Sequence, residues 1–241
     1  MGKLIDKCIN FPNSASRKVK TQYELHFSPR PVTKVYGLLR TGTNYLSRLL
    51  ELNFDTYCLK SEEMGWKHGP CVYTEKLRFI FIVKSPYSWL NSFREWEIIH
   101  NRVPESISVE EFILRDISHP QLNDAWIAST PLEAWNESLR SWCQYFDKNN
   151  VALVRYEDLI KDFDTSMSRV RHELKLNMRF TEFRNYSERA DNWSTPKPRK
   201  KLDKGRYLFG SLVDSYSERE LELFRQRLDP KVAEAFQYQI Y

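Results

Sequence analysis

Arg40 is the first side chain in this sequence with both the charge and the setting for chemistry. It lies in Arg40-Thr41-Gly42-Thr43-Asn44, after a short apolar run, Val35-Tyr36-Gly37-Leu38-Leu39. After it, Tyr45, Leu46, Leu49 and Leu50 recur at helical spacing, so residues 33–52 read as strand, tight loop and helix. A loop at such a junction aims backbone N–H groups at one point, and the helix N-terminus adds partial positive charge, so anions bind there. Gly37 and Gly42 have the G-x-x-x-x-G spacing of a phosphate loop, but Thr43 and Asn44 stand where a nucleotide triphosphatase has Lys and then Ser or Thr. The Lys that reaches terminal phosphates and the hydroxyl that holds Mg²⁺ are therefore missing. The loop reads as a phosphate cradle altered for a different anion, with Arg40 as its cation and no metal expected. The plain alternative is an ordinary strand–turn–helix with a Gly at the bend.

A second point of positive charge follows a second strand. Leu77 to Val83, LRFIFIV, is short, apolar and bounded by charges, the pattern of a parallel strand buried on both faces. It runs into Lys84, and Pro86 then suits the first turn of a helix, where its missing N–H costs nothing. Ser88 and Ser92 fall one turn apart on that helix, so either hydroxyl can join Lys84 in holding an anion. Ligands of open α/β sheets bind at the carboxyl ends of the strands, where both points lie. The alternatives are a strand-end lysine reaching solvent and a solvated hydroxyl.

The rest of the chain supplies the scaffold. Residues 1–30 are polar and irregular and read as an N-terminal arm, with 31–241 as one domain. Thr56 to Leu59 reads as a short second strand, Lys60 to Pro70 as a loop, and Val151 to Val154 as another buried strand, followed by a helix from about Asp162 to Leu174. Ser108 starts a helix whose apolar face includes Phe112, Ile113 and Ile117. Thr130-Pro131-Leu132-Glu133 starts another that reaches about Phe146, Ser217 to Leu228 is a helix with a capping box, and Pro230 to Phe236 a last one. Strands alternating with helices predict a single α/β domain with a mainly parallel central sheet flanked by helices.

Composition narrows the function. The chain has 241 residues, 41% hydrophobic and 14% aromatic, enough for a sizeable core. No apolar run is long enough to span a bilayer and no apolar block marks a signal peptide, so a soluble, cytoplasmic protein is expected. Gly2 is not followed by Ser or Thr at position 6, which argues against myristoylation. Cys8, Cys58, Cys71 and Cys143 form no C-x-x-C pair and read as free thiols, and the five His show no metal-ligand spacing. Net charge is +5, and Lys197 to Arg206 alone carries six cations and one acid. An excess confined to one stretch suits a local anion clamp better than a nucleic-acid face. A solvated charged loop is the alternative.

Three stretches together resemble the sulfotransferases that use 3′-phosphoadenosine 5′-phosphosulfate (PAPS). Arg40-Thr41-Gly42-Thr43-Asn44 is similar to that family's 5′-phosphosulfate loop, and Tyr45 follows directly. Lys84, Pro86 and Ser92 are similar to its 3′-phosphate motif, with Lys84 where Arg is usual. Leu153-Val154-Arg155-Tyr156-Glu157-Asp158-Leu159, with Trp142 upstream, is similar to a strand-ending segment of the family. Arg199, Lys200 and Lys201, before Lys204-Gly205-Arg206, loosely resemble its Arg-Lys-Gly loop over the 3′-phosphate.

The resemblance implies a P-loop NTPase-like fold and sulfuryl transfer from PAPS, leaving the desulfated nucleotide PAP. It implies that Arg40 and the loop amides stabilise the leaving phosphate. It also implies a general base, for which His68 beside Lys67 is favoured and Glu62 and Glu63 are rivals. Lys67 would assist the sulfuryl oxygens, while Tyr156-Glu157-Asp158 would hold the sheet end and loop together. Carbohydrate, phenol and peptide acceptors are all open. Trp66, Trp89, Trp96 and Trp126 are candidates to line an acceptor pocket, although aromatics at helical spacing are mostly core. A small-molecule or nucleotide kinase and a non-catalytic nucleotide- or RNA-binding module using Lys197 to Arg206 are the competing readings. The steep salt dependence of oligonucleotide binding would mark the last.

Overall fold

Four parallel strands form the sheet: β1 (Val32–Tyr36), β2 (Tyr57–Cys58), β3 (Arg78–Val83) and β4 (Val151–Arg155), in the order β2-β1-β3-β4. The structure, a computed structural model, describes residues 14–27, 29–60, 62–117, 119–126, 128–185 and 212–241. Tyr36 pairs with Phe81, and Val83 with Arg155, so β1, β3 and β4 end at one edge. From β1 the chain moves to β2 on one side and later to β3 on the other. The strand order therefore reverses between β1 and β3, which creates the crevice where open α/β sheets take ligands.

Parallel strands need long crossovers; irregular chain makes the one from β2 to β3, whereas helices fill those from β1 to β2 and from β3 to β4, and others precede β1 or follow β4. The helices are α1 (Ser14–His26), α2 (Thr43–Asn53), α3 (Pro86–Ile99), α4 (Val109–Leu114), α5 (Pro120–Trp126), α6 (Pro131–Cys143), α7 (Tyr156–Lys161), α8 (Phe163–Leu174), α9 (Glu218–Arg227) and α10 (Pro230–Ala235). Alternation along β3 divides the core. Phe79, Phe81 and Val83 pack on one face with Trp89, Trp135 and Trp142, and Ile80 and Ile82 on the other with Leu46, Leu49, Leu50 and Val154. None of the helices among the described residues is long and apolar enough to cross a membrane.

Several boundaries differ from the sequence reading for local reasons. β1 stops at Tyr36 because the Gly37 N–H leaves the ladder and donates to the Lys67 carbonyl at 3.0 Å. Leu38 is buried in the loop, not the strand, so its apolar character concealed the strand end. α6 ends at Cys143, and Phe146 lies partly exposed beyond it. Ile117 is buried but outside the six-residue α4. The polar stretch before β1 contains α1, and Tyr156 opens α7 directly at the end of β4. The starts at Ser108 and Ser217 stand as expected, each with a reciprocal capping box.

Candidate active site

The β1–α2 loop needs glycine twice. A Cβ on Gly37 would lie 2.6 Å from the Ile82 carbonyl oxygen, which is backbone of the neighbouring strand. Gly42 has φ 95°, and a Cβ there would lie 2.7 Å from the Tyr156 ring. Arg40 also takes a left-handed backbone, φ 70°. The Thr41 hydroxyl donates to the Leu38 carbonyl at 2.7 Å, and the Trp89 indole N–H donates to the Leu39 carbonyl at 2.8 Å, so the turn is braced from within and from α3. Gly42 caps α2 without a side chain, and the first i→i−4 bond is Leu46 N–H to Gly42. The N–H groups of Thr43, Asn44 and Tyr45 are first-turn donors with no intrahelical acceptor. The Tyr45 hydroxyl donates to Asn185 Oδ1 at 2.6 Å, and its ring meets Tyr156 edge-on.

Lys67 and His68 come to this loop from the segment after β2. Lys67 Nζ donates to Asn44 Oδ1, and burial with Lys60 nearby lowers its pKa to about 8. His68 pairs through Nδ1 with the Gly37 carbonyl at 2.6 Å. A carbonyl only accepts, so Nδ1 carries the proton and Nε2 keeps its lone pair. The Trp126 indole N–H donates to the His68 carbonyl at 2.9 Å, and the Trp66 ring lies edge-on to the imidazole. His68 is only 8% exposed, although glycines flank its segment. Burial, reinforced by Lys67 and opposed by the Gly37 hydrogen bond, pushes its pKa down to about 3. A base titrating near neutrality does not fit this site. Glu62 is exposed, while the Glu63 carboxylate accepts from the Lys60 N–H at 2.8 Å and from the Thr21 hydroxyl on α1.

The second cation lies at the end of β3. Lys84, 2% exposed, donates to Ser92 Oγ at 2.7 Å and lies 5.1 Å from the Tyr156 ring centroid. The Trp135 indole N–H holds the Lys84 carbonyl at 3.0 Å. Ser88 is engaged differently: its hydroxyl donates to Glu157 Oε1 at 2.9 Å, as does the Ser85 N–H, and the Tyr238 hydroxyl donates to Oε2 at 3.0 Å. Glu157 thus fastens the start of α3 to the end of β4 and to the C-terminal segment. Arg199, Lys200 and Lys201 lie outside the described residues.

Lys34 escaped the sequence reading, while Tyr156, expected to help hold the sheet end and loop together, meets both loops. Tyr156 touches both anion loops, against Gly42 on one side and Lys84 on the other, and so wedges them apart. An aromatic directly after a buried strand was the available signal. Lys34, in the middle of β1, is fully buried. Of the four tryptophans considered for an acceptor pocket, Trp89 and Trp126 are core, while Trp66 and Trp96 are half-buried and flank His119.

The sulfotransferase domain profile matches residues 68–238, a span that includes Lys84, Ser92 and Glu157 but begins after the Gly37–Gly42 loop. Mouse sulfotransferase SULT7A1, solved with PAP, superposes over 88% of this chain and 90% of its own, with a TM-score of 0.57 at 15% identity, a likeness of fold. A sulfotransferase from Alicyclobacillus acidocaldarius is 13% identical over 64% of this chain and 85% of its own, with a TM-score of 0.45. A search of curated proteins finds no match.

Proposed function

Because this chain belongs to the sulfotransferase domain family, we propose that it moves the sulfuryl group of PAPS to a hydroxyl or amine of an acceptor. The observation that carries the reading is the pairing of two anion-ready points at the switch in strand order. One is the Gly37–Gly42 loop with Arg40, the other the buried Lys84–Ser92 pair, and Tyr156 lies between them. A nucleotide phosphorylated at both its 5′ and 3′ positions needs two such points. The glycines at 37 and 42 let the loop close against Ile82 and the Tyr156 ring, which holds its backbone in place for a phosphosulfate.

In this reading Arg40, Thr41, Gly42, Thr43, Asn44 and Tyr45 hold the 5′ end. Lys84 and Ser92 hold the 3′-phosphate, with Arg199, Lys200 and Lys201 closing over it. Sulfuryl transfer, like phosphoryl transfer, is mostly positioning and charge stabilisation, and Arg40 with the loop amides neutralises the leaving phosphate. Lys67, held by Asn44, faces the transferring group. His68 Nε2 accepts the acceptor's proton. Its low pKa keeps the imidazole neutral across the working range, while Glu63 is occupied by Lys60 and Thr21.

In this reading residues 31–241 are the catalytic domain and 1–30 an arm, and Thr21 on α1 contacts Glu63. Cys58, Cys71 and Cys143 are free thiols, which favours a reducing, cytoplasmic setting. Carbohydrate, phenol and peptide acceptors are to be screened with labelled PAPS. A thermal-shift and calorimetric comparison of PAP with ATP–Mg²⁺ tests the donor. PAP at a hundred times its dissociation constant stabilises by about 2.7 kcal/mol, and ATP–Mg²⁺ does not. Equal shifts with both would revive the kinase and overturn this assignment.

A further inference from the structure

Lys34 stands in the middle of β1 with 0% of its surface exposed, where a strand buried on both faces ordinarily places an apolar residue. Its Nζ donates to three backbone carbonyls, of Lys60 at 2.8 Å, of Gly65 at 3.0 Å and of Glu63. All three belong to the segment that leads into Lys67-His68. An ammonium carries N–H donors and no acceptor, so main-chain carbonyls are partners suited to it.

Tyr36 continues the row two residues on, on the same face of the strand. Its hydroxyl donates to the Met64 carbonyl at 2.6 Å and accepts from the Val72 N–H at 3.2 Å. Gly37 completes it through its N–H to Lys67 and its carbonyl to His68. None of these bonds is part of the sheet ladder. They join β1 to a segment with no regular secondary structure of its own over residues 62–72.

We propose that Lys34 and Tyr36 are positioning residues, a polar row inside β1 that fixes Lys60 and the 62–72 segment and thereby sets Lys67 and His68 over the phosphate loop. The part these two side chains play in transfer rests on the function proposed above, whereas the tether can be tested without it. Burying an ammonium is costly, and apolar side chains of similar length would fill the same space. Filling space would not require donors aimed at three carbonyls of one loop.

The test is native-state hydrogen exchange with Lys34→Met and Tyr36→Phe, both near-isosteric. The reporters are the Gly37 N–H, bonded to Lys67, and the Lys60 N–H, bonded to Glu63; the references are the Phe79 N–H on Asn150 and the Leu46 N–H on Gly42. The tether predicts that the two reporters lose protection by about tenfold or more while the references keep theirs. It also predicts that the His68 Nδ1–H resonance, protected by its bond to Gly37, broadens into exchange with water. If Lys34→Met does not fold, Tyr36→Phe alone carries the test, since it removes one hydroxyl. Unchanged protection at both reporters, or equal loss in reporters and references, overturns the proposal. PAP titration of the same variants reads the function separately: affinity within about threefold of wild type places the defect in the loop, and failure of wild type to bind PAP counts against the donor assignment alone.

Discussion

Replacing His68 with Asn should flatten the acid side of the protein's stability curve. The Asn amide can occupy the place of Nδ1 and keep a donor on the Gly37 carbonyl, while the basic Nε2 disappears. In wild type the folded-state pKa is about 3 against an ordinary value of 6.5, because burial and Lys67 oppose the imidazolium. The unfolded chain therefore takes up a proton that the folded chain refuses. Stability from this group is fully present above the unfolded pKa and declines as pH falls below it, down to the folded value. At 1.36 kcal/mol per unit, the loss between about pH 8 and about pH 5 is ~2 kcal/mol. With a urea m-value of about 2 kcal/mol/M, the wild-type midpoint should fall by about 1 M from this group alone. Other groups titrate too, so the quantity to compare is the change between the two pH values in wild type minus that in His68→Asn. A packing cost from losing the Trp66 contact is the same at both pH values and cancels. If the variant's pH dependence matches wild type, the imidazole is not buried neutral. The kinetic counterpart is that turnover with any working acceptor should show no acid limb near pH 6.5 owing to His68, and that His68→Asn should be slower, by less than the roughly 10²–10⁴-fold of a base matched to the working pH, since an imidazole of low pKa is weakly basic.

Lys84→Ala and Ser92→Ala should each weaken PAP binding in calorimetry with a smaller effect on the chemical step, and unchanged affinity in both would remove them from the 3′-phosphate. Arg40→Ala should instead cost turnover, on the order of 3 kcal/mol of transition-state stabilisation, with PAP affinity falling less. Glu157→Ala leaves the Ser85 N–H and the Ser88 and Tyr238 hydroxyls without their buried acceptor, and urea titration should show a loss of about 3–5 kcal/mol. A loss under about 1 kcal/mol would mean that the carboxylate does not fasten α3 to β4.

What could be read from residues alone followed from periodicity and chain punctuation. The switch from an apolar run to helical spacing around Gly42 located the β1–α2 loop, and Lys84-Ser85-Pro86 located the start of α3. The strand end at Tyr36 was hidden because Leu38 and Leu39 continue the apolar run while serving the loop. α1 was hidden by a polar sequence with no clear apolar stripe, and α7 by starting directly at the last residue of β4. Glycines at 65 and 69 gave no hint that His68 is buried; the burial comes from Trp66, Trp126 and the Gly37 carbonyl. Lys34 gave no signal at all, since its partners are main-chain carbonyls and any sequence supplies those. Tyr156 is a ring whose importance depends on two loops distant in sequence, which only the folded sheet brings together.

The parallel pairing of Tyr36 with Phe81 has a consequence for how such a chain can diverge. The gap between the two anion loops is set by hydrogen bonds between adjacent strands and by one aromatic ring, and not by the chain that connects them. Length can therefore change in that connection without altering the span between the two loops. The exposed Glu75-Lys76 turn, away from the carboxyl edge, is a place where insertions leave the crevice intact. A one-residue slip between β1 and β3 has the opposite effect: it shifts one loop by a strand step and turns Tyr36 and Lys34 to the other face. The enzyme's ruler is thus written in strand register, and lineages can lengthen or shorten its loops while the ruler stays fixed.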